Sequence, residues 1–310
     1  MKLGDLPPAV LQGRLAAGKL QLRLGPFVTR LHSTLPALTQ GLSQAYRDFE
    51  LAPLDAFADF HIDLLPERGQ RFRQAPQARF YLDGRPSAAR DARLALTLLE
   101  DGLNDCVAAR AHQFLVLRAA VVERGGCAAL LAGPAGAGKS ALSAALVQRG
   151  WRLLSDALAL LDLDTGLVHG MARPIGLRNG AIAAARGAAP GLRFTPEVGD
   201  AALGTAALAC PPTDSVSRMH EPAWPAWLLL LQPQPQQATE IEPQGAADSF
   251  MQLASDALNY ALHGRRGFEG LGDLIDHCSC HRLRYRTLAE GADAIDSLAA
   301  QPPCPAARAC

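Results

Sequence analysis

Apolar and polar positions along the chain change period several times, and each change marks an element. Leu20 to Thr29 predicts a strand, Pro36 to Tyr46 a helix, and Phe57–Leu65, Gln70–Gln74 and Arg79–Leu82 three more strands. Asp83-Gly84 is a turn signal between apolar runs. Ala92 to Ala109 carries Leu94, Leu98 and Val107 near one face and predicts a long amphipathic helix. Residues 1–18 mix prolines with scattered polarity and predict little regular structure. From Phe114 the pattern turns strand-rich. Cys127–Ala132 reads as a buried strand, and Ser140 to Gln148 as a helix stopped by Gly150. Trp151–Asp156 reads as a short apolar strand ending in an acid. Leu158–Leu161 followed by Asp162 repeats that pattern.

Pro211-Pro212 and Gln232–Gln237 read as loops, 246–262 and 268–276 as helices, Arg282–Tyr285 as a strand and Ala289–Ala299 as a closing helix. A soft boundary near 87–92 divides a small α+β N-terminal domain, 1–90, from a larger domain, 91–300. Residues 301–310 contain three prolines and read as a disordered tail. A strand followed by a loop and a helix implies a sheet with helices packed on it, so the expected class is α/β, or α+β overall.

Composition narrows the function. Hydrophobic residues make up 49 % of the 310, enough for a sizeable core. Thirty basic residues balance thirty acidic ones, so nucleic-acid binding has no global electrostatic support. No apolar run, Trp227–Leu231 included, approaches the roughly 18 residues that span a bilayer, and the N-terminus lacks a charged-then-apolar signal segment. The expectation is a soluble cytoplasmic protein with no membrane partner. Seven scattered cysteines do not form a disulfide framework.

Only three of the basic residues are lysines: Lys2, Lys19 and Lys139. Arginine substitutes for lysine where a surface charge suffices, but not where a compact ammonium is required. Lys139 stands in Gly133-Pro134-Ala135-Gly136-Ala137-Gly138-Lys139-Ser140, which fits G-x-x-x-x-G-K-[ST]. Glycines let the backbone approach phosphates, and the loop amides with the next helix N-terminus supply positive potential. In this pattern the lysine reaches the β- and γ-phosphates and the Ser140 hydroxyl ligates Mg²⁺. With Ala141 these residues form the candidate nucleotide-binding set. Asp156 lies where such proteins often hold a Mg²⁺ ligand or general base.

Leu146-Val147-Gln148-Arg149-Gly150-Trp151-Arg152-Leu153, following that loop, resembles the catalytic domain of HPr kinase/phosphorylase, over roughly residues 110–180. The wider chain resembles the HPr kinase-related kinase A family. The matching pieces are Ala58–His61, Gly102-Leu103-Asn104, Ala111–Leu115, Ala172-Arg173-Pro174, Leu258-Asn259-Tyr260 and Gly267-Phe268-Glu269. The resemblance implies a P-loop domain with a mixed sheet and flanking helices. It also implies ATP and Mg²⁺ as cofactors, and phosphoryl transfer to a serine of a small HPr-like or other carrier-like protein. Lys139 and Asp156 become the catalytic residues, Asp156 as base, and Ser140 and Asp156 the metal ligands. Oligomeric state stays open, because the family's ring interface is not carried across.

Three positions depart from the family. Ala157 stands where a second acid follows the aspartate, Arg118 where a histidine precedes the loop, and Leu203 where a lysine precedes Gly204-Thr205. Two alternatives therefore stay open: a catalytically weak or inactive nucleotide-binding regulator, and a small-molecule kinase, for which the sequence shows no acceptor pocket. Arg173 and Arg178 are candidates for stabilising phosphate, with plain surface charge the competing reading. His112 reads as a packing or hydrogen-bonded residue. His277-Cys278-Ser279-Cys280-His281 reads as a helix-to-strand junction, its ligands being too crowded for a zinc site.

Overall fold

The computed structural model describes residues 1–67, 76–200 and 204–301. The strand expected at Gln70–Gln74, Leu203 and the tail from residue 302 lie outside the described residues. The first part of the chain contains α1 (Pro8–Ala16), β1 (Leu20–Leu24), β2 (Phe27–Ser33), α2 (Pro36–Ala45), β3 (Phe60–Pro66), β4 (Gln77–Leu82), β5 (Arg85–Pro86) and β6 (Arg90–Asp91). Its sheet runs β1-β2-β3-β4-β5, with β6 also on β4. Only β2 and β3 are parallel, and α2 lies in the crossover that a parallel pair requires.

Two expectations are corrected here. Residues 1–18 are not unstructured: α1 buries Leu11 and Leu15, one turn apart. Its prolines start the helix, since Pro8 occupies the first helical position, where no amide partner is needed. The single strand expected at Leu20–Thr29 is a hairpin. Gly25, at φ 62°, turns the chain, and a Cβ there would stand 2.0 Å from the Gly170 carbonyl oxygen.

The second part holds α3 (Ala95–Arg110), β7 (Phe114–Leu117), β8 (Ala119–Arg124), β9 (Cys127–Ala132), α4 (Lys139–Gln148), β10 (Arg152–Ser155), β11 (Ala159–Asp162), β12 (Val168–His169) and β13 (Ile175–Arg178). It continues through α5 (Gly180–Ala188), β14 (Val198–Asp200), β15 (Gly204–Ala209), α6 (Thr213–Ser217), β16 (Trp224–Pro233), β17 (Glu240–Pro243), α7 (Ala246–Asp256), α8 (Tyr260–His277), β18 (Ser279–Tyr285) and α9 (Leu288–Ala299). The large sheet runs β10-β8-β9-β16-β18-β17. β9, β16 and β18 are parallel; β8 is antiparallel to both β9 and β10, so β10 runs with β9. Two three-stranded sheets, β12-β11-β7 and β13-β15-β14, complete a mixed α/β architecture.

Period-two burial explains the layering. Ala129 and Leu131 of β9 enter one core with Leu142 and Leu146 of α4 and Ile295 of α9. Their neighbours Ala128, Leu130 and Ala132 enter another with Leu271 and Leu274 of α8. A third core joins α1, α2, α3 and the first sheet to Phe114, Leu158, Met171 and Leu208 of the second part. The helix expected over 246–262 breaks at Ala257, which is extended, because Leu258 N–H donates to the Val116 carbonyl at the edge of β7. The next helix is correspondingly longer than 268–276 and bends at Gly264.

Candidate functional site

The loop Gly133–Ser140 leaves the C-terminal end of β9 and enters α4. Gly133, Gly136 and Gly138 have φ of 145°, 84° and 82°, which side-chain-bearing residues rarely adopt. Pro134, Ala135 and Gly136 form the exposed rim, whereas Ala137 and Ala141 are buried against the sheet. Gly138 precedes α4 without a side-chain cap, so the first amides of the helix have no side-chain acceptor. Tyr285 of β18 fixes the loop from below: its hydroxyl donates to the Ala137 carbonyl at 2.8 Å. Burial pushes this phenol up to about 12, so it stays a donor. Lys139 Nζ donates to the Gly133 and Pro134 carbonyls at 2.7 and 3.0 Å. Burial pulls its pKa down and Arg118 adds to this, while Asp256 and Asp156 oppose it.

Arg118 precedes β8, whose Ala119 pairs with Ala132, so it lies opposite the start of the loop. Its backbone N–H donates to the Asp256 carbonyl at 3.1 Å. Asp256 ends α7 and carries no sequence motif; only the break after it brings it here.

Asp156 follows β10 and therefore emerges at the same sheet edge as the loop. Its Oδ2 accepts from Gly176 N–H at 2.8 Å, and its buried Oδ1 has no partner among the described residues. Burial pushes this carboxyl up to about 6. The Gly176 amide, the Ser140 hydroxyl, Arg173 and Lys139 pull the other way, in that order. Lys139, Ser140 and Asp156 are thus brought together. Ser140 and Asp156 offer hard oxygen donors of the kind Mg²⁺ prefers, one of them unspent. Asp162, the second acid after an apolar run, is a turn residue instead: it accepts from Asp164 and Thr165 N–H at 2.8 and 3.2 Å.

Arg173 is not a surface charge. It is buried, donates to Glu100 at 2.9 Å and to Asn104, both on α3, and its Nε has no partner among the described residues. Glu100 also accepts from the buried Tyr46 hydroxyl just after α2. Burial pushes both groups up, with Arg173 opposing. The network hangs from Ala172, whose φ of 46° is held by two amides, Met171 and Ala172, on the Leu154 carbonyl. Arg178 is exposed and pairs with Asp101 at 2.9 Å. A cavity of about 160 Å³ opens between α3, β13, β15 and Asp156, and Ala157 lines it. A second, of about 510 Å³, adjoins Gly133 and Pro134 beside Gln232, Met251 and Arg282.

Other marked residues separate from this edge. His112 is exposed rather than packed. His277–His281 is the junction of α8 and β18, with His277 stacked edge-on against Trp224 and His281 bonded to Ser279 at 2.7 Å. Thr205 N–H donates to the Asn179 side chain at 2.9 Å. Tyr46, Glu100 and Tyr285 were invisible as site residues in sequence, whereas Asn104 belongs to the Gly102-Leu103-Asn104 segment that carries the family resemblance. No family model and no curated protein matches this sequence.

Proposed function

We propose that this chain is an ATP- and Mg²⁺-dependent phosphotransferase of the HPr kinase-related type, moving the γ-phosphoryl group of ATP to an alcohol oxygen. The observation that carries the reading is the meeting of Lys139, Ser140 and a partly buried Asp156, whose Oδ1 has no partner among the described residues, at one sheet edge. Three left-handed glycines leave the loop amides free of side chains, as a phosphate cradle requires. Ser140 and Asp156 would hold the metal, whose charge would offset that developing on the transferred phosphate. Lys139 would leave the Gly133 and Pro134 carbonyls for the phosphates. Asp156, raised to about 6, is suited to accept the acceptor's hydroxyl proton near neutral pH. The resemblance makes a serine of a small carrier-like protein in the cytoplasm the first acceptor to try.

A second reading, a nucleotide-binding regulator without turnover, is favoured by Ala157, which leaves Asp156 without the adjoining acid. Calorimetric titration with ATP, with and without Mg²⁺, tests the shared step. Binding that requires Lys139 and responds to Mg²⁺ is expected, and its absence from a folded sample refutes both readings. Transfer abolished by Asp156→Asn with ATP binding kept selects the kinase; equal transfer by that variant removes Asp156 from the mechanism.

A further inference from the structure

The cavity against Asp156 is a built polar site. Its volume of about 160 Å³ holds on the order of ten water-sized positions, room for a molecule of a few carbons. A folded carrier could offer it no more than a side chain.

Two of the residues that line it, Arg173 and Asp156, each carry a buried polar atom without a partner among the described residues. Arg173, only 5 % exposed, lines the cavity with its outer nitrogens fixed by Glu100 and Asn104, while its Nε–H has no acceptor. Asp156, also in the wall, has one buried oxygen without a donor. Buried polar groups left unpaired are costly, and a ligand that supplies their partners recovers that cost. At the mouth, Arg178 and Asp101 are paired at 2.9 Å with side chains 41 % and 55 % exposed. An exposed pair of this kind contributes little and yields readily to a ligand carrying its own charges.

The geometry points to a free hydroxy amino acid of the serine or threonine class as the occupant. Its carboxylate takes Arg178, its ammonium takes Asp101, and its hydroxyl faces Asp156. Charge argues for both signs in one ligand: Glu100 cancels Arg173, Asp101 cancels Arg178 and Asp156 adds a carboxyl, so a simple anion finds no net positive wall. The transfer step rests on the phosphotransferase reading above; binding does not. In that step the hydroxyl oxygen bonds to the γ-phosphorus as the bond from γ-phosphorus to the bridging oxygen breaks. ADP leaves with the electron pair, the hydroxyl proton passes to Asp156, and the product is the O-phospho amino acid.

The test is calorimetry with L-serine and L-threonine on the full chain. The comparison ligands are ethanolamine, glycerate and a serine peptide blocked at both ends. Serine or threonine should bind, the three others at least about tenfold more weakly, because each lacks a charge that Arg178 or Asp101 reads. Arg178→Ala and Asp101→Asn, both at exposed positions, should each weaken serine binding about tenfold. No amino-acid binding by folded wild-type protein, or an affinity indifferent to both substitutions, overturns the assignment. So does preferential binding of the blocked peptide, which would give the cavity to a protein acceptor's side chain. Lys139→Ala protein separates the two readings: serine binding should persist there, and persists also if wild-type protein proves unable to bind ATP.

Discussion

Replacing Asp156 by asparagine should stabilise the fold and, if the proposed phosphotransferase reading holds, end transfer. Burial raises this carboxyl from 3.8 to about 6. Between those values the native protein keeps a proton that the unfolded chain has released. Stability therefore falls as pH rises through that window, and the loss is complete above pH 6. Two pK units at about 1.36 kcal/mol each put the full penalty near 3 kcal/mol. About 2 kcal/mol of it develops between pH 4.5 and 7, by the same linkage. Asparagine keeps an oxygen for the Gly176 amide but never ionises. Urea unfolding of both proteins at pH 4.5 and at pH 7 isolates the effect, because other titrating groups cancel in the difference. The variant's advantage should grow by about 2 kcal/mol toward neutral pH. A gap that does not change with pH, or one that grows in favour of the wild type, would show that Lys139, Arg173 and the Gly176 amide outweigh burial at this carboxyl.

Four further substitutions test the supports of the site. Glu100→Ala strands the buried Arg173 guanidinium and should cost about 3–5 kcal/mol in thermal or urea unfolding; a loss under 1 kcal/mol would mean the pair is solvated. Gly138→Ala adds a Cβ 2.2 Å from the Tyr285 hydroxyl at φ 82°, costing about 1–3 kcal/mol. Tyr285→Phe alone should cost about 1 kcal/mol, and the double variant should be less destabilised than the sum, so strict additivity in the cycle would sink the proposed clash. Asn259→Ala removes the side chain that accepts from Val116 N–H at 2.9 Å and donates to the Phe114 carbonyl at 2.8 Å. It should cost about 1–3 kcal/mol, and an unchanged urea midpoint would show that water replaces both bonds.

The phosphate-loop pattern was legible because its requirements are local. Positive φ at 136 and 138 demands glycine, and the strand before and helix after announce themselves by period and composition. Asp156 was legible as the end of an apolar run, but so was Asp162, and only the family resemblance, not the pattern, ranked them. Strand order decides: β10 shares the large sheet with β9, whereas β11 belongs to the sheet of β7 and β12. The burial of Arg173 was not legible because its partners are distant, Glu100 lying 73 positions away, and Tyr285 lies 148 positions from the carbonyl it holds. In α1 the information was present and misweighted, since Pro8 followed by Leu11 and Leu15 is a helix start. The break at Ala257 is different in kind. Nothing local ends the helix there; pairing with β7 and the Asn259 side chain impose extended backbone from outside.

Ala157 shows how one small departure changes the chemistry of the whole edge. A carboxylate at 157 would stand beside an Asp156 already raised by burial, and like charges would raise it further unless a metal neutralised both. It would also occupy space that now belongs to the cavity lined by Arg173, Asp101 and Ala157. Alanine removes the repulsion and keeps the cavity open. Negative charge near Lys139 then rests on Asp256 and Asp156, and Asp156 is balanced by Lys139 and by an Arg173 held in place through Glu100 and Tyr46. The helices α2 and α3 are therefore part of the site's electrostatics and not only its cover. A change at Tyr46, whose hydroxyl donates to Glu100, should be felt at Asp156 as an altered pH dependence of stability.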